Sequence, residues 1–427
     1  MAPSTGRVRV QCCTYNGHLA QGHRLTPGAV PDEDLSSWLV PTLGTTADKG
    51  EPPAFVAIGF QEMIPLHLAL AGLTTTALDL HDGQLKSVIE RAYSSASSPD
   101  PRKGSAKAAV GEGYTLVARR ALGGIALLVY GRDCTVTSRI RRVDVATAGC
   151  GVGGLMGNKG AVGIRVSLEE EEGEGMSSWT FVTAHLAAHQ NQVARRNRDW
   201  RSIVERLVFV DDEGRERQLY ETGQLFVFGD LNYRISLTTP RKLPLHLLSH
   251  EIASLSPSTP SSFTSLLAHD QLTQELKAGR TLQHLSEAPI TFPPTYKFKV
   301  GTVDQYKDFR KRVPGWCDRI LHATASEAEG DVQVETYRAE MGFTRSDHKP
   351  VTAILSLPSS TALLPHRSPF PVDPAWRQKQ LVGLALDRLV GAVWCLVVFA
   401  GFGKDARLGT VNLVVAALAA YYRKALL

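Results

Sequence analysis

The sequence predicts an α+β fold from three observations: short apolar β-type runs that end in polar residues, two longer stretches of helical character, and turn-rich segments between them. The chain has 427 residues, 43% of them hydrophobic, which is ample for a large core. Its length suits one large domain followed by a tail, since sandwich-type domains often exceed the average domain size.

Each run is too apolar to be exposed, and each hands over to a residue able to bind a metal, move a proton or hold a phosphate. Val8-Arg9-Val10 leads to Asn16, and Ala54-Phe55-Val56-Ala57-Ile58 leads to Gln61-Glu62. Asn158-Lys159-Gly160 opens the strand Ala161–Val166, and Trp179-Thr180-Phe181-Val182-Thr183 leads to His185. Leu225-Phe226-Val227-Phe228 runs into a Gly-Asp-x-Asn turn carrying Asp230 and Asn232. Trp316–Leu321 holds Asp318 inside an apolar run, and Ser346-Asp347-His348 precedes the strand Pro350–Leu355. Two stretches read as helices, Gln190–Phe209, which sets Arg195 and Asp199 one turn apart, and His269–Leu285. Ser94–Gly113 and Ser254–Ser265 are rich in Ser and Pro and read as surface insertions.

Taken singly, an Asp or Asn after a strand is an ordinary turn residue that caps local amides. Together, a Glu, several Asp and Asn and two His at strand ends can converge on one edge of a sheet core, and their chemistry fits phosphate-ester cleavage. The anionic ester repels its nucleophile, so a hard cation held by carboxylate and amide oxygens is the usual remedy, a role suited to Glu62 with Asn16. Asp230 could align or deprotonate water while Asn232 fixes its orientation. Imidazoles from His185 and His348 would meet charge on the non-bridging oxygens, and Asp318 behind a histidine would select its tautomer.

These residues resemble the inositol polyphosphate 5-phosphatases, of the exonuclease/endonuclease/phosphatase group that includes deoxyribonuclease I. The matching blocks run in order from Thr14-Tyr15-Asn16 and Gly59-Phe60-Gln61-Glu62 through Gly157–Val162 and Ala184–His189 to Gly229–Arg234, Pro294–Phe298, Pro314–Arg319 and Ser346–Pro350, within about residues 7–357. The resemblance implies a four-layer αββα sandwich of mixed, mainly antiparallel sheets, with Glu62 holding Mg²⁺ and Asn16 nearby. It implies that Asp230 and Asn232 handle water and that His185 and His348 touch the scissile phosphate. Asp318 would orient His348, with Asp347 close to the metal. Asn158 and Lys159 would contact substrate, Tyr296 and Lys297 would grip the inositol 4-phosphate, and Arg310 stands where the family commonly has Lys, a planar fork for a point charge. Tyr15 replaces a common Trp and leaves the Asn intact.

Other features are set aside. Gly149–Gly154 fits a GxGxxG pattern, but a strand rather than a helix follows, and Lys159 lacks the Ser or Thr of a Walker loop. Glu169–Glu174 reads as a solvated turn, whereas Arg195–Arg198 and Lys307–Arg312 could face anionic lipid or polyphosphate. The net charge is only +5 and no nucleic acid is expected as partner. Six scattered cysteines without a CxxC pair, and no secretory signal at Met1-Ala2-Pro3-Ser4, favour a reducing, cytosol-facing enzyme; its catalytic domain is expected to be monomeric.

The organisation expected is a catalytic domain over residues 1–357, a Pro/Ser-rich linker over 358–380 and a hydrophobic segment over 381–427. That segment holds two apolar runs, Leu389–Gly403 and Val411–Tyr422, each shorter than the ~20 residues that span a bilayer, and Asp387-Arg388 interrupts a longer span from Leu381. They form either a membrane-embedded hairpin or anchor, or buried helices of a further soluble subdomain; the membrane reading is preferred because the linker detaches them. The activity expected is removal of a 5-phosphate, from phosphatidylinositol 4,5-bisphosphate or alternatively from soluble inositol 1,4,5-trisphosphate. A nuclease and a non-catalytic phosphoinositide tether are the weaker alternatives.

Overall fold

The computed structural model describes residues 7–17, 51–94, 113–170, 175–236, 264–307, 313–326, 331–401, 411–412 and 414–419. Among them two six-stranded mixed sheets stack face to face. The first runs β13 (Gln333–Ala339), β14 (Val351–Pro358), β1 (Arg7–Asn16), β2 (Phe55–Gln61), β4 (Ile125–Arg132), β3 (Tyr114–Leu122). The second runs β11 (Ser286–Glu287), β12 (Asp318–Thr324), β10 (Gln224–Asp230), β7 (Met176–His185), β6 (Gly160–Glu169), β5 (Ile140–Gly149). A small ribbon pairs β8 (Phe209–Val210) with β9 (Glu216–Arg217). Among the described residues only β1–β2 and β7–β10 pair in parallel.

The period of two sorts each strand between two cores. Val10, Cys12, Phe55 and Ala57 of one sheet meet Phe181, Phe226 and Phe228 of the other in the central layer. The intervening Cys13, Val56 and Ile58 face outward onto α2 (Thr74–Ser94), through Leu78, Leu85 and Ile89. On the other side Val182, Leu225 and Val227 pack under Trp200, Ile203 and Val204 of α3 (Val193–Arg206). The result is the four-layer αββα sandwich. Gly59 of β2 permits a close approach of the sheets, since a Cβ there would lie 2.3 Å from Thr183 Oγ1 and 2.8 Å from the Phe228 ring.

Several elements differ from expectation. The short α1 (Leu66–Ala71), which follows Pro65 and stops at left-handed Gly72, and α2 were not read from the sequence, nor were β3, β4 and β5. Of the helix expected over His269–Leu285 only α5 (Gln271–Lys277) forms, preceded by the short α4 (Thr264–Leu267). The Asp270 side chain caps α5 at the Thr273 N–H, and left-handed Gly279 ends it. Most of Ser94–Gly113, Ser254–Ser265 and the Glu171–Glu174 run lies outside the described residues.

The tail shows the largest difference. One helix, α6 (Trp376–Phe399), starts inside the segment read as linker and runs straight through Asp387-Arg388. Gly383, Asp387 and Gly391 recur every four residues and form one buried stripe. Along it Gly383 meets the Leu155 carbonyl, Asp387 accepts from the Gly157 N–H, and Gly391 abuts the backbone of Leu70 and Ala71. The helix is therefore laid flat against the sandwich. Its outer face is apolar and exposed, with Leu381, Leu389, Leu396 and Phe399 each more than 60% accessible.

Candidate active site

Strand register assembles the site. On the second sheet Gly160, His185, Asp230 and Asp318 are consecutive cross-strand partners on β6, β7, β10 and β12, so the side chains of the last three fall in one row. On the first sheet Asn16 pairs with Gln61 at the ends of parallel β1 and β2, with Glu62 next in the chain. Two non-glycine residues here have left-handed backbone, Glu62 (φ 48°) and Asn232 (φ 59°), an uncommon conformation that turns each out of its strand.

Asp230 is the hub. Its Oδ2 accepts from Asn16 Nδ2 at 2.9 Å, across the gap between the sheets, and lies 3.2 Å from His185 Nε2 and 4.0 Å from His348 Nε2. Its Oδ1 accepts from the Asn232 N–H at 3.1 Å. Burial works to raise its pKa, but His348, His185 and Lys159 outweigh it and hold the carboxyl well below the usual range. His348 Nδ1 faces Asp318 Oδ2 at 2.9 Å, and Thr295 Oγ1 donates to the same oxygen at 2.7 Å. Burial opposes charge on His348, yet Asp318 and Asp230 together push it up to about 9, so an imidazolium sits between two carboxylates. His185 is the opposite case. Burial and then the Lys159 ammonium, which touches Nε2, lower its pKa, so at neutral pH this ring is uncharged.

Lys159 is half-buried, and loss of solvent depresses its pKa against the pull of Asp230 and Glu62. Asn158 is turned into its own loop, where Oδ1 accepts from the Val152 N–H at 3.0 Å. Tyr296 packs on the His348 ring at 4.6 Å, and Lys297 Nζ pairs with Asp347 Oδ2 at 3.0 Å. The residues singled out from the sequence thus lie in one cluster, except Asn158, whose side chain is taken up by its own loop, and Arg310, which falls outside the described residues. The basic run at Arg195–Arg198 is corrected at its first two residues, while Arg198 is exposed. Arg195 bonds Asp199 and the carbonyls of Cys150 and Gly151, and Arg196 is fully buried on the Ala187 and His189 carbonyls, so neither is offered to lipid or polyphosphate.

The sequence reading missed Arg234, Gln61, Thr295 and Ser346. The Arg234 guanidinium is buried, contacts Asn232 Oδ1 and lies 4.1 Å over the Tyr296 ring. Gln61 links Thr14 to Thr183, and Ser346 Oγ donates to the Asn16 carbonyl. All four sit inside the quoted sequence blocks, which was the available signal.

The donor set fits a hard divalent cation. Glu62 keeps a third of its side chain exposed, with Oε1 3.9 Å from His185 Nε2, and Asn16 bonds Asp230 through its nitrogen, so its other polar atom is an amide oxygen. Asp230, Asp318 and His348 also have ligand atoms within 4.8 Å of one another, but Asp318 is committed to His348 and Thr295.

The family described as Endonuclease/Exonuclease/phosphatase family 2 matches residues 13–354. The chain belongs to this family. It is 32% identical over 332 residues to the type II inositol 1,4,5-trisphosphate 5-phosphatase of Mus musculus, covering 77% of this chain and 28% of that protein. It is 31% identical over 319 residues to inositol-1,4,5-trisphosphate 5-phosphatase 1 of Schizosaccharomyces pombe, covering 75% of this chain and 25% of that one. It thus spans about a quarter of the length of these relatives. The solved inositol polyphosphate 5-phosphatase domain of SPsynaptojanin, in complex with inositol (1,4)-bisphosphate and a calcium ion, superposes with a TM-score of 0.59 at 25% identity over 90% of each chain.

Proposed function

We propose that the protein is a Mg²⁺-dependent phosphomonoesterase that removes the 5-phosphate from an inositol ring, with phosphatidylinositol 4,5-bisphosphate as its substrate. The observation that carries this reading is the placement of Tyr296 and Lys297 against His348 and Asp347, which sets a cation and a ring beside the phosphate-cleaving row. A nuclease has no use for a second phosphate grip there. Relatives named as inositol 1,4,5-trisphosphate 5-phosphatases, and a solved relative holding inositol (1,4)-bisphosphate, support the same substrate class.

Glu62 and Asn16 would hold the cation, which would supply positive charge against the anionic ester. Asp230 accepts the hydrogen bond of the attacking water and aligns it; with so low a pKa it acts by orientation and charge more than as a strong base. The His348 imidazolium donates to the non-bridging oxygens as their charge develops, and Asp318 keeps it protonated and pointed. Lys159 and neutral His185 line the opposite side.

The preference for lipid over soluble inositol 1,4,5-trisphosphate rests on α6, which is long and apolar enough to cross a membrane by length and composition. Because one face is held on the catalytic unit, the exposed face instead suits insertion into the interfacial layer of an anionic bilayer facing the cytosol. After Ala400 the sequence carries Lys404, Arg407, Arg423 and Lys424 against Asp405 alone, complementary to anionic lipid. The test is phosphate release by the full chain from a panel of inositol phosphates and vesicle-borne phosphoinositides, with and without Mg²⁺. Release from 5-phosphorylated members alone, fastest on lipid, supports the reading; cleavage of nucleic acid, or no release at all, sinks it.

A further inference from the structure

Asp387 is an anomaly of position. It lies midway along an apolar helix, is 3% exposed, and directs both carboxylate oxygens at one backbone amide, Gly157 N–H, at 3.0 Å. A carboxylate in such a place is costly, and an apolar residue would pack there more cheaply. Burial pushes its pKa up to about 6, opposed by the Gly157 N–H and by Arg388, so the amide contact partly offsets the penalty.

What the contact holds is the loop that delivers two site residues. Gly157 directly precedes Asn158 and Lys159, and Lys159 Nζ meets His185 Nε2 beside Asp230. The loop is closed at its base, with Cys150 N–H on the Lys159 carbonyl and Gly151 N–H on the Met156 carbonyl, both at 2.9 Å. Arg195 ties the Cys150 and Gly151 carbonyls to α3. Its distal arm is held from α6: Gly383 admits the Leu155 carbonyl and Asp387 takes the Gly157 amide. There is no room at Gly157 for a side chain, since a Cβ would lie 2.8 Å from both Asp387 Oδ2 and Leu122.

We propose that Asp387 is a positioning residue for the phosphatase reaction, a clasp by which helix α6 sets the 150–159 loop, and so Lys159, against His185. The inference rests on the phosphatase reading for its kinetic arm and adds to it that the bilayer-facing helix is part of the active-site scaffold. A helix engaged on a lipid surface then fixes the substrate loop and the orientation of the site with one set of contacts.

The test uses the full chain in mild detergent with soluble inositol 1,4,5-trisphosphate, which removes membrane capture from the measurement. Asp387→Ala is expected to speed amide exchange across residues 150–159 and to lower kcat/KM by ~10–10²-fold, as loss of positioning does. Asp387→Asn, which keeps an acceptor, should stay within about threefold of the parent. In the Lys159→Met background Asp387→Ala should add almost nothing, because both act through the same contact. Unchanged exchange at 150–159, full activity of Asp387→Ala, an Asn variant as poor as the Ala one, or additive losses in the double variant would each overturn the proposal. If Asp387→Ala does not fold, Asp387→Ser, too short to reach Gly157, takes its place. A parent chain that releases no phosphate defeats the phosphatase reading, and the exchange measurement still decides the clasp.

Discussion

His185 and Asp230 are register partners on parallel β7 and β10, and their side chains meet with Nε2 3.2 Å from Oδ2. The same oxygen receives Asn16 from the other sheet, so one carboxylate joins both halves of the site.

Replacing that carboxylate while keeping its size isolates its charge. Asp230→Asn should lower kcat by ~10²–10⁴, the usual range for a group engaged in the proton and charge movements of the reaction. Steady-state turnover within about threefold of the parent would remove Asp230 from the reaction.

His348 sets a pH limit. Its pKa is raised from an ordinary 6.5 to about 9 by Asp318 and Asp230 against burial, so the imidazolium persists through neutral pH. The stabilisation it gives is fully present below the ordinary value and is lost as pH rises through about 9. The kcat/KM profile should therefore fall on its alkaline side near there. Asp318→Asn removes the larger of the two charges that hold the proton and should move that limb to lower pH. A limb unmoved by Asp318→Asn would mean another group titrates.

Metal dependence should be visible at Glu62. Glu62→Gln keeps an oxygen donor but loses its charge, so activity should drop and be partly restored by raised Mg²⁺, since metal affinity is what falls. Chelation should silence the parent, and a loss in Glu62→Gln indifferent to Mg²⁺ concentration would assign the residue to substrate instead.

Lys297 offers a contrast between substrates. Lys297→Ala should cost about 1.5–3 kcal/mol on 4,5-bisphosphorylated substrates, one charge-assisted contact, and much less on a 5-monophosphate. Equal losses would show that the pair with Asp347 is what matters, or that Lys297 holds the 5-phosphate.

For the tail, the full chain should sediment with vesicles containing anionic lipid and a chain ending at Ala375 should not. Because α6 covers backbone at Leu70, Ala71 and Leu155–Gly157, the truncated form should also melt at a lower temperature. A full chain that stays in the supernatant would remove the membrane from the account.

The sandwich core and the row of site residues were legible because β2, β7, β10 and β12 are continuous apolar runs ending in chemistry-bearing residues. β3 and β5 were not, since Arg119-Arg120 and Arg141-Arg142 give them the mixed, half-exposed pattern of outer strands. α2 hides its face behind Thr, Asp and Gly83, so its apolar signal is diluted. The docking of α6 was illegible for a different reason. Asp387 looks like an interruption of a hydrophobic span, and only its partner 230 residues away makes it a contact.

Gly59 gives the two-sheet arrangement a further meaning. Asn16 and Gln61, with Glu62 next to it, end strands of one sheet, and His185, Asp230 and Asp318 lie in the other, so the site behaves as a vice whose jaws are set by the thickness of the protein interior. At Gly59 that thickness is limited by a single hydrogen atom against Thr183 and Phe228, one residue from Phe60 and three from Glu62. Even a methyl group there would wedge the jaws apart and stretch the bond from Asn16 to Asp230, a loss of reactivity originating wholly in the core.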